Sequence, residues 1–324
     1  MNLRHRAIRC AAEVPARRPE PRPRSTLALA ALLLVTVTHA TAGDEIEEFW
    51  EYDNPAASEQ RFRAALGSEG NDRDLELQTQ IARTYSLRRR FDEAHRILDQ
   101  IQPALPTSSA RVRSRYLLER GRTLRSAGDK AAAESLFRQA YDVALGAGEI
   151  GLAVDAAHML ALVTPAEAAA AWTDTGISLA RSSGDAKARA LLPALLNNHA
   201  WNLHDAGRFD DALPVFIEAE SAWRATGKQP QGRIATWSVA RCLRSLGRYH
   251  EALTLQRTLE AEWSAGGGSD GYVFEEIAEI LDALGRPAEA RPYYARAARE
   301  LGKDPSFVRD EPAGLQRLID RGRR

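Results

Sequence analysis

The sequence predicts an all-α protein that is built from tandem helix-turn-helix repeats. Residues that favour helices (Ala, Leu, Arg and Glu) are abundant, whereas the 324 residues include only 15 Pro and 22 Gly. Val, Ile and Thr do not form the alternating runs that half-buried strands require. One order of small, glycine and aromatic positions returns several times along the chain, and such internal repetition predicts a repeat architecture.

The first element is a leader that is basic and then apolar. Residues 1–25 hold seven arginines and two glutamates, and residues 27–38 (LALAALLLVTVT) carry no charge. Small residues follow, up to Ala42 before Gly43. This order predicts a signal peptide over residues 1–42 and export to the periplasm or beyond, because the apolar run is too short to span a bilayer. A misassigned start is the alternative, and it would leave the protein in the cytoplasm.

Five segments of the chain share one internal order of residues. They cover residues 82–95, 121–134, 200–213, 240–253 and 278–291. A small residue opens each segment: Ala82, Gly121, Ala200, Ala240 and Ala278. A glycine follows in four of them: Gly128, Gly207, Gly247 and Gly285. An alanine comes next in all five: Ala94, Ala133, Ala212, Ala252 and Ala290. A weaker sixth unit, residues 155–172, has Thr164-Pro165 in place of the glycine.

Each position in this order has a physical role. Small side chains on two antiparallel helices let their axes approach to about 8–10 Å. The glycine adopts the left-handed conformation that ends the first helix of the pair. Large apolar side chains fill the space between successive pairs: Leu98, Phe137, Phe216 and Tyr294. One pair cannot bury its apolar face alone, so each needs its neighbours.

This order resembles the tetratricopeptide repeat (TPR) family. The resemblance implies a right-handed superhelical solenoid of about six TPR-like repeats over residues 75–301. We expect N-terminal capping helices over residues 43–74 and a C-terminal capping segment over residues 302–324. The stretches DAAHML, ARCLRSLGR and DGYVFEE are together similar to bacterial TPR proteins that carry no assigned activity, so the resemblance implies no catalytic residue.

Composition and charge exclude several functional classes. The 44 basic and 44 acidic side chains leave no basic excess, so we expect no nucleic-acid partner. Of the two cysteines, Cys10 lies in the predicted leader, and we expect Cys242 to be a small structural residue beside the core. We expect no cofactor, and no stable membrane span once the signal peptide is removed.

The polar stretch at residues 197–213 invites a metal or catalytic interpretation. His199 and His204 are five residues apart, which places them about 140° apart around a helix. A helical two-histidine metal site prefers a spacing of four. Residues 266–271 (GGGSDG) fit the letters of a dinucleotide-binding motif, but that motif follows a strand, and here we expect a linker after a helix. No positioned nucleophile appears, so the sequence predicts no enzyme.

The strongest candidate site is the row of side chains on the first helices of the repeats. In a TPR array these helices line the concave groove, and residues spaced by four and three share a face. The predicted binding residues are Arg83, Arg122, Arg125, His158, Asn197, Trp201, His204, Trp237, Arg241 and Arg244. Arginines would bind peptide carboxylates and tryptophans would hold apolar side chains. Alternatively, the row is a solvated helix face whose tryptophans pack between repeats.

The sequence therefore predicts a non-enzymatic protein–protein interaction scaffold. It would bind a peptide segment or a partner protein in the concave groove. The alternative is an assembly protein that joins itself or a complex through its ends and convex surface. The sequence leaves the oligomeric state open.

Overall fold

A computed structural model describes residues 46–67 and 71–323, and these residues form helices and turns without a β-strand. The all-α prediction is therefore confirmed. The predicted signal peptide, residues 1–42, lies outside the described residues and so does Cys10. Within the described ranges, the helices lack the combination of length and apolar character that crossing a membrane requires.

The helices follow one another along the chain with short connections. Their bounds are α1 Pro55–Ala64, α2 Asp72–Leu87, α3 Phe91–Ile101, α4 Ala110–Ala127, α5 Lys130–Gly146, α6 Ile150–Ala161, α7 Ala166–Ser182, α8 Ala186–Asp205, α9 Phe209–Ala225, α10 Gln229–Ser245, α11 Tyr249–Ala265, α12 Gly271–Ala283, α13 Pro287–Leu301, α14 Pro305–Asp310 and α15 Pro312–Arg323. A short 3₁₀ helix, Gln102–Thr107, separates α3 from α4.

Within the described residues the helices from α2 to α13 form six successive pairs. We call α2, α4, α6, α8, α10 and α12 the first helices, and their partners α3, α5, α7, α9, α11 and α13 the second helices. The chain divides into two compact units, an N-terminal unit that ends at Leu191 and a C-terminal unit that begins at Leu192. Each unit is described by itself below.

Small side chains lie at the contacts within the pairs, as the sequence predicts. The alanines at these positions are fully buried: Ala82, Ala94, Ala133, Ala200, Ala212, Ala240, Ala252, Ala278 and Ala290. Gly121 makes the tightest case, because a Cβ built on it would lie 2.5 Å from Cε1 of Phe137. The predicted space-filling side chains Leu98, Phe137, Phe216 and Tyr294 are at most 1% exposed.

Left-handed residues end five of the six first helices, four of them at the predicted glycines. Gly128, Gly207, Gly247 and Gly285 have φ values of 107°, 75°, 74° and 72°. In the first pair the same place holds Arg89, whose φ is 61°. The following amide donates back into the helix each time, for example Arg90 N to Tyr85 O at 2.9 Å. This is the hydrogen bond that closes a helix C-terminus.

Three further expectations about local structure are met. Residues 266–270 connect two helices, so the glycine-rich stretch follows a helix and not a strand. Pro165 immediately precedes α7, and the Thr164 hydroxyl donates to the Leu160 carbonyl at 2.8 Å in the turn before it. Cys242 is fully buried within the apolar core of the C-terminal unit, as expected of a structural cysteine.

Replacing Gly121 with alanine tests the helix contact. The added methyl group overlaps the Phe137 ring, so we expect Gly121→Ala to lower the free energy of unfolding by about 1–3 kcal/mol. Gly146→Ala is the matched control, because a Cβ there meets nothing within 4 Å. Urea denaturation of both variants measures the effect, and an equal response of the two would contradict the contact.

Replacing Arg89 with glycine should have the opposite effect on stability. The left-handed conformation costs an arginine more than a glycine, so we expect Arg89→Gly to raise the free energy of unfolding by about 0.5–1 kcal/mol. Arg89→Ala keeps the backbone penalty and should bring no gain. If the alanine variant is stabilised as much as the glycine variant, backbone conformation is not the cause.

Candidate binding face of the first helices

The predicted site residues of the N-terminal unit come together on one surface. Arg83 lies on α2, Arg122 and Arg125 on α4, and His158 on α6. We call the surface that these helices form with Arg83, Arg111, Arg115, Arg122 and Arg125 the arginine face. Sequence reasoning found three of these five arginines.

A buried carboxylate joins two of these arginines. Glu119 is completely buried, and its Oε1 accepts hydrogen bonds from Arg122 Nη1 at 2.7 Å and from Arg83 Nη1 at 3.4 Å. Gln80 Nε2 lies 3.4 Å from the same oxygen. Because a buried charge is costly without partners, these contacts fix the guanidinium groups in place.

Three more carboxylates complete the arginine face. Arg122 Nη2 donates to Asp155 at 2.5 Å, and this contact holds the pKa of Asp155 below its usual value although burial opposes the shift. Glu76 accepts from Arg111 at 3.0 Å and lies 3.4 Å from Arg115. Nη1 of the same Arg111 side chain donates to Glu149 Oε2 at 3.0 Å.

These carboxylate partners were missed by sequence reasoning, although the sequence contains a signal for them. Arg83 and Glu119 are 36 residues apart, Arg111 and Glu76 are 35 apart, and Arg122 and Asp155 are 33 apart. A search of the first helices for opposite charges separated by about one repeat length in sequence would therefore have identified them.

His158 is buried beside this network. Burial lowers the pKa of His158 to about 4; Arg122 and Arg125 act in the same direction, and Asp155 opposes them. The imidazole is therefore neutral near pH 7 and presents no charge to a ligand.

In the C-terminal unit, the two predicted tryptophans lie inside the protein. Trp201 is 2% exposed and Trp237 is 4% exposed, and their ring centroids are 6.1 Å apart. Trp201 also packs edge-on against Phe216 at 5.1 Å, and Trp237 Nε1 donates to the Tyr272 carbonyl at 3.3 Å. This burial fits packing between repeats and leaves little ring surface for a ligand.

Asn197 and His204 are buried on α8 in the same unit. Asn197 is 3% exposed and His204 is 8% exposed. Nε2 of His204 lies 3.0 Å from Ser245 Oγ, a hydrogen bond between neighbouring first helices. Burial lowers the pKa of His204 to about 4, and Arg241 strengthens the shift.

The predicted arginines of the C-terminal unit are engaged by a carboxylate on the next first helix. Arg244 Nε donates to Glu276 Oε1 at 2.7 Å, and Arg241 Nε lies 3.4 Å from the same oxygen. Glu276 is 2% exposed. Three other acidic side chains of α12 pair with arginines of α15. Arg317 pairs with Glu275 and Glu279, and Arg321 pairs with Asp282.

A further segment of the chain contacts the arginine face. Glu47 lies 3.8 Å from Arg115, and Trp50 Nε1 donates to Gln80 Oε1 at 3.2 Å. The Arg83 guanidinium lies over the Trp50 and Tyr52 rings, 5.3 Å and 5.7 Å from their centroids. The arginine face therefore already holds acidic and aromatic side chains from residues 46–53.

The part of the chain that the structure describes contains no cluster of side chains that could hold a metal ion. No three His, Cys, Asp or Glu side chains of residues 46–67 and 71–323 are grouped as an ion would require.

Superposition on solved structures of other proteins shows which fold this chain has. The apo form of RapI superposes with a TM-score of 0.65 at 10% identity, covering 87% of this chain and 85% of that one. TPR-like repeats of a putative kinesin light chain from Podosopora anserina give 0.50 at 17% identity, covering 62% and 99%. The fold is a TPR-like helical repeat. A Rap protein in complex with competence and sporulation factor gives 0.55 at 14% identity, covering 82% and 78%.

Sequence comparison adds no family to this fold. No protein-family model matches the chain, and no curated protein matches it. The similarity to a particular group of bacterial TPR proteins therefore stays a prediction.

The two buried histidines make the fold sensitive to acid. The pKa of His204 is 6.5 when unfolded and about 4 when folded, so the unfolded chain binds the proton first as the pH falls. We expect stability to decrease between about pH 6.5 and pH 4, by up to about 3 kcal/mol for this residue.

Substitution of His204 isolates its share of the acid sensitivity. His204→Gln should reduce the slope of unfolding free energy against pH, measured by urea denaturation at pH 7, 5.5 and 4.5, while His158 keeps its own contribution. His250→Gln, at an exposed position, is the control and should leave the wild-type slope. A wild-type slope in His204→Gln would show that this imidazole is not the cause.

Proposed function

We propose that this protein is a non-enzymatic interaction scaffold that binds an acidic peptide segment of a partner protein on the arginine face. The observation that carries the proposal is the crowding of guanidinium groups there. Four of its five arginines, Arg83, Arg111, Arg115 and Arg122, pair with four carboxylates: Glu76, Glu119, Glu149 and Asp155. A guanidinium has five N–H donors, so these carboxylates leave donors for a ligand.

The carboxylates also prepare the arginines for binding. Contacts to Glu119 and Asp155 hold Arg83 and Arg122 in position before a ligand arrives. A preordered group loses less conformational entropy on binding. Single exposed ion pairs contribute less than about 1 kcal/mol, so a peptide would need to contact several arginines at once.

The C-terminal unit is less suited to this role. Its predicted binding arginines are only two, Arg241 and Arg244, against five on the arginine face, and both contact the buried Glu276. The solved Rap complex supports the proposal in general terms, because that protein of similar fold is bound to competence and sporulation factor.

Self-assembly has less support. The large apolar side chains that are exposed among the described residues are Leu145, Ile217 and Val308, and they lie on three different helices. Such isolated side chains are ordinary on a monomer surface. We retain the periplasm or the exterior as the expected location because of the leader, and N-terminal sequencing of the native protein would test it.

A charge reversal on the arginine face tests the proposed function. We expect the full chain to bind acidic members of a peptide library, and Arg125→Glu, on half-buried first-helix surface, to weaken that binding by about ten-fold. Arg96→Glu makes the same charge change on the exposed surface of α3 and should leave affinity unchanged.

Fluorescence anisotropy with a labelled library peptide measures both affinities, and light scattering reports self-association. Equal losses in the two variants would show a non-specific charge effect. A chain that binds no peptide but self-associates would overturn the proposal in favour of assembly.

A further inference from the structure

Residues 46–53, with the sequence IEEFWEYD, form a short segment that precedes α1 and has two different sides. One side is apolar. Ile46 is 1% exposed and belongs to a cluster with Phe62, Leu77 and Ile81, against which Trp50 also packs. This side anchors the segment to the N-terminal unit.

The other side of the segment lies on the arginine face. The Trp50 and Tyr52 rings stack 4.7 Å apart with their planes only 2° from parallel, and Arg83 lies over both rings. Trp50 Nε1 also donates to Gln80, a residue that contacts the buried Glu119. A cation over a pair of stacked rings adds an electrostatic attraction to the apolar anchoring on the other side of the segment.

Charge complementarity extends this contact. Glu47 approaches Arg115 to 3.8 Å and thereby adds a fifth carboxylate opposite the five arginines. Tyr52 lies close enough to Arg83, Arg115 and Arg122 to sense their charges, and burial raises the pKa of its phenol. The segment thus presents an acid and two aromatic rings to the guanidinium groups.

We propose that residues 46–53 are an internal ligand, and that the partner of the arginine face is a peptide of the same chemistry. Such a peptide carries a carboxylate a few residues before two aromatic side chains, in the order Glu-x-x-Trp-x-Tyr. This inference rests on the proposed function and names its ligand class. The partner's segment would replace the chain's own segment on Arg83 and Arg115.

The strength of the contacts suits exchange. Glu47 is 46% exposed, and its ion pair is long, so little affinity is lost when it opens. Covalent attachment gives the segment an effective concentration in the millimolar range, which lets weak contacts hold it in place. A free peptide therefore has to overcome this internal competitor, and weakening the segment should strengthen external binding.

Matched variants of the full chain test this competition. The probe is a labelled peptide that copies residues 44–54, and its affinity is measured by fluorescence anisotropy. Glu47→Lys places a positive charge beside Arg115, and Tyr52→Ser removes one stacked ring. Tyr52→Ser should increase the affinity for the probe by about ten-fold, and Glu47→Lys, which opens a long and exposed ion pair, by a smaller factor. Glu48→Lys, the same change at an exposed neighbour, should leave it at the wild-type value.

A second substitution shows where the probe binds. Arg83→Gln in the Tyr52→Ser background should return the affinity to the wild-type value or below, because Arg83 contacts both rings of the segment. Thermal melting confirms that each variant is folded. All of them keep Ile46 and Phe62, which anchor the segment to the core.

The outcomes separate this inference from the proposed function. Equal probe affinity in wild type, Glu47→Lys and Tyr52→Ser would overturn the internal-ligand proposal, as would tight binding that does not depend on Arg83. If library peptides still bind and their binding still depends on Arg125, the proposed function is retained. If neither the probe nor any library peptide binds the folded variants, both proposals are wrong.

Discussion

The close approach of paired helices is the constraint on which the rest of this structure depends. Fully buried alanines lie on both helices of the pairs that begin with α8, α10 and α12, and at Gly121 even a methyl group would overlap the Phe137 ring. Larger side chains there would overpack the contact and force the helices apart. Because the pairs are built in the same way, each first helix presents its charged positions next to those of a neighbour.

That repetition explains the charge pattern of the first helices. Arginines and carboxylates that are 32 to 36 residues apart in sequence become direct neighbours, as with Arg244 and Glu276 or Arg83 and Glu119. Once buried, such pairs need each other, since removing one partner leaves an uncompensated charge. The same contacts also fix the orientation of the guanidinium groups.

The fold was predictable from sequence because small residues and glycines report backbone geometry directly. Ala200 implies a close helix contact and Gly207 implies a turn, independently of the residues around them. Ala200 is buried and Gly207 is left-handed, as expected. Arg89 was not recognised as a turn residue, since nothing in its chemistry indicates a left-handed backbone. Gly148, Gly227 and Gly267 form further left-handed turns at the ends of second helices, where the sequence pattern is less regular.

The site was less predictable, because a helical pattern gives the face of a residue but not its partner. Trp201 and Trp237 were placed on the first-helix face, yet neighbouring aromatic and apolar side chains bury them. The contact of residues 46–53 with the arginine face was missed as well, since so short a segment has too little periodicity to indicate where it docks.

Hydrogen–deuterium exchange of the full chain, with and without a saturating acidic aromatic peptide, tests the central claim most directly. Binding on the arginine face in place of the internal segment should slow exchange in α2, α4 and α6 and speed exchange in residues 46–53. Slower exchange confined to the second helices, or unchanged exchange in residues 46–53, would contradict it.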